Sequence, residues 1–367
     1  MPHIRNFTPG PVEISEQVLA AQYGSQKLHV GPDFAETYVR VTENLQTIFG
    51  TNGHVAVVPG CGTLANEMAL GAFLQPGKRA LILDAGYFSS VLQRSVEGWG
   101  AQADLLPIPA GQPADPQIVQ NALSAQDYDL LCFTHVETST GLLNPIDALT
   151  QVAKAAGVPV MVDSVSALGT CPAQMDDLGI SAMTTASQKG LESVPGLGMV
   201  ALSETTWQQL ETRQLRRGGM TDLLRWREQF NTAHDWHPSL TTMPVGVVYA
   251  LDIALKKILS EGLETRFSRH IGARDYFCDA MTQAGFDLQI IQGARAAGVT
   301  AVQTGGRFAS SRLVNHLISD HHIRIAGGFG ANKEDVFRVA HMGDHANIPA
   351  LKAVVSAITE FAESHAK

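Results

Sequence analysis

Short apolar runs alternate with stretches of helical periodicity between about residues 55 and 205, and this alternation limits the possible folds most strongly. The runs lie at residues 55–58, 80–83, 103–108, 130–134, 158–162, 182–185 and 199–202. Such nearly continuous apolar runs are typical of strands buried on both faces of a parallel sheet. Helical patterns separate them at 64–74, 89–99, 116–124 and 145–156. We therefore predict an α/β fold, in which a mostly parallel seven-stranded sheet is the middle layer of an αβα domain.

The pattern changes after about residue 245. Helices are predicted at 245–260, 263–284, 312–319 and 349–363, and strands at 299–303, 323–326 and 336–341. This order is typical of a smaller α+β domain. We expect an extended N-terminal segment at 1–14, a large domain at 15–245 and a small C-terminal domain at 246–367.

Composition excludes several classes of protein. The chain has 26 Lys and Arg against 35 Asp and Glu, a net charge of −9, and no long basic run that could follow a nucleic-acid backbone. No run approaches the roughly 20 apolar residues of a membrane-spanning helix, and the N-terminus lacks the apolar core of a signal peptide. The 4 cysteines have no metal-binding spacing. We therefore expect a cytoplasmic protein without a metal site.

The loops that follow the predicted strands are the candidate sites, because parallel α/β sheets bind ligands at the carboxyl ends of their strands. The loop at 59–63 (PGCGT) could hold an anion at a helix start. A tight turn capped by Thr63 explains that loop at least as well. The loop at 134–141 combines three consecutive hydroxyls with His135 and Glu137, but hydroxyls are also common in ordinary turns.

Two ionisable residues follow apolar strands and suggest a specific chemistry. Asp163 ends an apolar run, where its carboxylate needs a partner: a helix N-terminus or an arginine, or else a cationic ligand atom. Lys189 lies between an apolar run and a segment rich in Pro and Gly, and a lysine in apolar surroundings becomes a usable nucleophile. An amine nucleophile, a carboxylate for a pyridinium nitrogen and a phosphate loop together describe a site for pyridoxal 5′-phosphate.

Five motifs in the same order identify a family that the whole chain resembles. They are TPGP (8–11), THVETSTGLLNPID (134–147), VDSVSALG (162–169), SQKGLESVPGLG (187–198) and FRVAHMGDH (337–345). The chain is similar to the class V, fold-type I pyridoxal-phosphate enzymes, and most of all to the alanine–glyoxylate/serine–pyruvate aminotransferase branch. The resemblance implies a homodimer with shared active sites, acting on a small amino donor and a 2-oxo acid.

The resemblance also assigns roles to individual residues. It implies that Lys189 is the Schiff-base lysine, that Asp163 faces the pyridinium nitrogen and that Arg338 binds the substrate carboxylate. The other cofactor-binding positions that it implies are Cys61, Gly62 and Thr63 in the phosphate loop, Phe88 stacked on the ring, Thr138 at the phenolic oxygen, and Gln188 and Thr242 at the phosphate. Of these, Thr242 would come from the neighbouring subunit. The family more often has Ser where this chain has Cys61.

Three alternatives remain at this stage. A 2-aminoethylphosphonate–pyruvate transaminase would share the cofactor and half of the reaction cycle, and we identify no residue that decides between the two. A cysteine desulfurase would need a thiol on a mobile C-terminal loop, whereas Cys278 lies within a predicted helix. A non-catalytic relative would be expected to have lost Lys189 or Asp163, and both are present.

Overall fold

The computed structural model describes residues 3–23, 28–212 and 218–364, so the outermost residues of the expected first and last segments lie outside it. The strands are β1 Arg5–Asn6, β2 Val55–Pro59, β3 Arg79–Asp84, β4 Gln102–Pro107, β5 Leu130–Thr134, β6 Val136–Glu137, β7 Leu142–Leu143, β8 Val160–Asp163, β9 Ala182–Ala186, β10 Leu197–Leu202, β11 Val299–Gln303, β12 Ile323–Arg324, β13 Ala326–Gly327 and β14 Val336–Ala340. The α-helices are α1 Glu16–Ala20, α2 Pro32–Phe49, α3 Gly62–Gly71, α4 Tyr87–Gly98, α5 Pro116–Ala125, α6 Ile146–Ala156, α7 Glu204–Glu211, α8 Leu223–Ala233, α9 Val245–Glu261, α10 Leu263–Gln283, α11 Ser310–His321 and α12 Ile348–Ser364.

Seven strands form the central sheet in the order β2-β10-β9-β8-β5-β3-β4. The pairs β9·β8, β8·β5, β5·β3 and β3·β4 are parallel, whereas β10 is antiparallel to both of its neighbours. This confirms the predicted α/β class and the mostly parallel seven-stranded sheet. Strand β8 begins two residues later than predicted, after Pro159, which has no backbone N–H to donate to a ladder.

The predicted helices between the strands are present with small shifts at their ends. Helix α6 ends as the sequence predicts, because Gly157 adopts the left-handed conformation (φ 68°) that ends helices. The long helix α2 is an addition to the sequence prediction. Its buried face mixes Thr37 and Thr42 with aromatic and aliphatic residues, which weakens the apolar periodicity that reveals a helix.

A second hydrophobic core lies in the C-terminal part of the chain, between helices α10, α11 and α12 and the sheet β11-β14-β13. Helix α9, in contrast, packs Val248, Leu251 and Leu255 into the core that surrounds the central sheet. The predicted run at 323–326 is two short strands with different partners, β12 with β1 and β13 with β14. The expected boundaries at 14 and 245 stay predictions.

The N-terminal segment connects the two parts of the molecule. Strand β1 pairs in parallel with β12, and Phe7 is buried in the second core. A few residues later, the Val12 amide donates to the carbonyl of Gln188, beside Lys189 (3.1 Å). Within the described residues, no helix combines the length and apolar character that crossing a bilayer requires.

Candidate active site

The site forms where neighbouring parallel strands end at one edge of the sheet. Thr134 at the end of β5 is in register with Asp163 at the end of β8, and Asp163 is in register with Thr184 of β9. Lys189 follows three residues after the end of β9. The register therefore brings together side chains that are distant in the sequence, as expected at the carboxyl edge of a parallel sheet.

The Lys189 ammonium donates a hydrogen bond to the carbonyl of Pro9 (2.6 Å), in the N-terminal segment that lies over it. Gly10 has a φ of 131°, which residues with a Cβ atom rarely adopt, and a Cβ atom there would also meet the Lys189 side chain, so glycine favours this approach. Burial, with a smaller effect of the nearby Arg338, lowers the pKa of Lys189 from 10.5 to about 8, although Asp163 opposes the change. About a tenth of the amine is then neutral at pH 7, which makes it a competent nucleophile.

Asp163 is buried and receives two hydrogen bonds. The Asn66 amide donates to one carboxylate oxygen (2.7 Å) and the Val165 backbone N–H donates to the other (2.9 Å). Asn66 is itself held by the hydroxyl of Thr184 (2.5 Å). Burial raises the pKa of Asp163, whereas the two hydrogen bonds and the charge of Lys189 oppose that rise. The carboxylate therefore favours any cation that enters beside it.

Cys61, Gly62 and Thr63 form the start of helix α3. No side chain among the described residues caps this N-terminus, so its first N–H groups are available to an anion. Thr63 lies within helix α3 and does not cap it, so the explanation of this loop as a turn capped by Thr63 is wrong. A Cβ atom at Gly62 would lie 2.6 Å from a Val165 methyl, so the backbone comes close to the loop that follows Asp163.

A cavity of about 520 Å³ lies beside Lys189, and its described lining does not include Asp163 or the start of helix α3. Four of the predicted site residues line it: Phe88, Thr138, Lys189 and Arg338. The N-terminal segment closes one side through Thr8, Pro9 and Gly10. Thr138 also forms a hydrogen bond with the buried Ser166 hydroxyl.

Arg338 is buried, with 5% of its surface exposed, so its side chain does not face solvent. Its guanidinium donates to the carbonyls of Gly327 (2.8 Å) and Thr138 (3.1 Å) and lies over the ring of Phe329 (4.3 Å). Burial lowers the pKa of Arg338 to about 10, and the negative charge of Glu137 opposes this change. The guanidinium is thus fixed by carbonyls and a ring, and it faces the cavity that contains Lys189.

Glu137 is fully buried behind Phe88. Its carboxylate accepts hydrogen bonds from the Phe88 N–H (3.2 Å) and from the N–H (3.0 Å) and hydroxyl (2.5 Å) of Ser139. Burial nevertheless raises the pKa of Glu137 from 4.5 to about 7. Glu137 therefore fixes the start of helix α4, where Phe88 enters the cavity.

The two remaining predicted residues, Gln188 and Thr242, differ in their position relative to Lys189. Gln188 is adjacent to Lys189, and its buried side-chain oxygen has no hydrogen-bond partner among the described residues. Thr242 is exposed on another part of the chain, 3.5 Å from the His29 imidazole, and does not line the cavity. The single chain therefore brings all of the predicted residues except Thr242 to one edge of the sheet.

The family model for class-V aminotransferases matches residues 14–352. The chain belongs to the class-V aminotransferases. It is 28% identical over 371 residues to alanine–glyoxylate aminotransferase 1 of Saccharomyces cerevisiae, covering 94% of each chain. It is also 28% identical to L-aspartate–glyoxylate aminotransferase of Paracoccus denitrificans, over 96% of this chain and 89% of that one. The crystal structure of alanine–glyoxylate aminotransferase from Nostoc sp. has a TM-score of 0.93 at 26% identity, covering 98% of this chain and 95% of that one.

Family membership makes this protein a transaminase whose cofactor is pyridoxal 5′-phosphate. Three features of the described residues fit that group. The uncapped start of α3, with Gly62 against Val165, suits a phosphate. Asp163 offers a buried carboxylate, and Lys189 a partly neutral amine. The site is therefore consistent with the cofactor.

Proposed function

We propose that this class-V aminotransferase moves an amino group from a small amino donor to glyoxylate or pyruvate, with Lys189 as its central residue. The observation that carries the proposal is the single cavity shared by Lys189 and Arg338. A cationic carboxylate binder beside an amine of lowered pKa is what transamination of an α-amino acid requires. Two relatives that are 28% identical to this chain are named as aminotransferases of glyoxylate, which supports the choice of acceptor.

Each residue has a role that its environment supports. Bound pyridoxal phosphate supplies an aldehyde that reacts with amines and a ring that withdraws electrons from the bond being broken. Lys189 anchors the cofactor and later carries a proton to and from the substrate's α-carbon. Asp163 would keep the ring nitrogen protonated, and Asn66 orients the Asp163 carboxylate. Arg338 binds the substrate carboxylate through two parallel hydrogen bonds.

The remaining residues would hold the cofactor in position. Cys61, Gly62, Thr63 and Gln188 would bind its phosphate, and the buried side-chain oxygen of Gln188, which has no partner among the described residues, could accept a hydrogen bond there. Phe88 would lie against the ring, and the Thr138 hydroxyl would hold its phenolic oxygen; both line the cavity.

We further propose a cytoplasmic homodimer with shared active sites, divided into the segments 1–14, 15–245 and 246–367. In such a dimer, Thr242 completes the phosphate site of the other subunit. Its exposure, away from the cavity of its own chain, supports this role.

A donor and acceptor screen tests the proposal. The purified protein, loaded with pyridoxal phosphate, is incubated with glyoxylate or pyruvate and with alanine, serine, aspartate or 2-aminoethylphosphonate, and the amino acid formed is measured. Glycine or alanine should form with the wild type and not with Lys189→Ala. Product formation by Lys189→Ala at the wild-type rate, or none by the wild type with any donor, would contradict the proposal.

A further inference from the structure

A second arginine, Arg324, lies on the same cavity as Lys189 and Arg338. Its neighbours Ile323 and Ile325 are buried in the second core. Because alternate side chains of an extended segment point to opposite sides, Arg324 and Ala326 face the other way, and both line the cavity. Asn6, the partner of Arg324 in the β1·β12 ladder, lines it as well.

The residues that line the cavity carry positive charge. Its lining includes the three cations Lys189, Arg324 and Arg338 but, among the described lining residues, no carboxylate. Two carboxylates outside this lining act on it: the charge of Asp163 raises the pKa of Lys189, and that of Glu137 raises the pKa of Arg338. A site lined by one sign of charge concentrates ligands of the opposite sign.

Arg338 and Arg324 differ in the hydrogen bonds that their side chains already make within the protein. Arg338 is buried and donates to two carbonyls. The side chain of Arg324 is exposed and makes no hydrogen bond or ion pair with residues 3–23, 28–212 or 218–364. A planar guanidinium with all of its donors available can bind a carboxylate or a phosphate through two hydrogen bonds.

On the basis of the proposed transaminase function, we infer that Arg324 binds a second anionic group of the substrate. Arg338 binds the α-carboxylate of the substrate, and Lys189 acts at its α-carbon. Of the three cations that line the cavity, Arg324 therefore remains to bind an anionic group at the end of the substrate's side chain. The preferred amino donors then carry a second carboxylate or a phosphate, as in aspartate, glutamate and phosphoserine. Alanine leaves Arg324 without a ligand.

Steady-state kinetics of the holoenzyme test this inference. Arg324→Gln should lower kcat/KM for the best dianionic donor about tenfold or more, and for alanine by less than about twofold, because only the dianion loses a charge-assisted hydrogen bond. Comparing aspartate and glutamate with phosphoserine identifies the anion. Arg312→Gln, which removes an exposed arginine outside the cavity, is the control and should change neither value.

A binding experiment separates direct contact from the general positive field. Calorimetry with malonate, succinate, glutarate and propionate should give the wild type a clear preference for one dicarboxylate length, and Arg324→Gln should lose that preference. Equal losses for alanine and the dianions, or dicarboxylate binding that ignores chain length, would overturn the inference. If alanine is transaminated but dianionic donors have no advantage, this inference alone fails; if no donor reacts, the proposed function fails.

Discussion

The buried carboxyl group of Glu137 gives a quantitative prediction about stability. Its pKa is 4.5 in an unfolded chain and about 7 in the folded protein, because burial outweighs the hydrogen bonds from Ser139 and Phe88. A raised pKa means that folding favours the protonated side chain. This contribution to stability is complete below about pH 4.5 and is lost as the pH rises through about 7.

The size of the effect follows from the two pKa values. Because a change of one in pKa corresponds to about 1.36 kcal/mol, Glu137 alone should lower the free energy of unfolding by about 2–3 kcal/mol between about pH 5 and pH 8. In Glu137→Gln the side chain is neutral at both pH values, so this decrease should disappear. The loss of hydrogen bonds should destabilise the variant equally at both pH values, so it should not restore the decrease in the free energy of unfolding with pH.

Urea unfolding of the cofactor-free protein at the two pH values measures the effect, with Glu43→Gln as the control because Glu43 is an exposed carboxylate. The control should keep the wild-type difference between the two pH values. If Glu137→Gln also keeps it within experimental error, the carboxyl group titrates normally and the reasoning about its burial is wrong.

Three further substitutions test the site and its support. Asp163→Asn should lower turnover by orders of magnitude, because the ring nitrogen loses its charged partner; single-turnover kinetics would measure this, and normal rates would refute the role. Arg338→Lys should mainly raise KM for carboxylate substrates, as two parallel hydrogen bonds become one point charge; an equal effect on substrates without a carboxylate would indicate a general defect. Arg266→Met should lower the free energy of unfolding by about 3 kcal/mol, because Arg266 is fully buried and its loss leaves Glu192 with Lys257, 3.9 Å away, as its remaining ion-pair partner among the described residues. Urea unfolding measures this loss, and adding Glu192→Gln should recover part of it.

Much of the fold was predictable because the strands of the central sheet are buried on both faces. Burial patterns such as that of β5, in which all five residues are buried, require continuous apolar runs that are visible in the sequence. The antiparallel direction of β10 was not predictable, since its six buried residues look like those of any parallel strand. Strand β1 consists of only two residues, which is too short for an alternation to be recognised.

The site residues that directly follow a strand were predictable from the sequence. The residues that contact them from distant parts of the chain were not. Asp163 and Lys189 both follow apolar runs, and the resemblance assigned their roles. Asn66 lies on a helix 97 residues before Asp163, and its contact depends on how α3 packs against the sheet. One signal was available: Asn66 is a polar residue on the otherwise apolar buried side of α3. The Pro9 carbonyl offered none, because any residue has a carbonyl.

Peptide mapping of the borohydride-treated holoenzyme tests the central claim most directly. Reduction fixes the cofactor to the amine that holds it, and mass spectrometry of the digest then identifies that lysine. The account predicts that the cofactor's mass is found on the peptide that contains Lys189. Its presence on another lysine, or its absence from every peptide of a cofactor-loaded sample, would contradict the account.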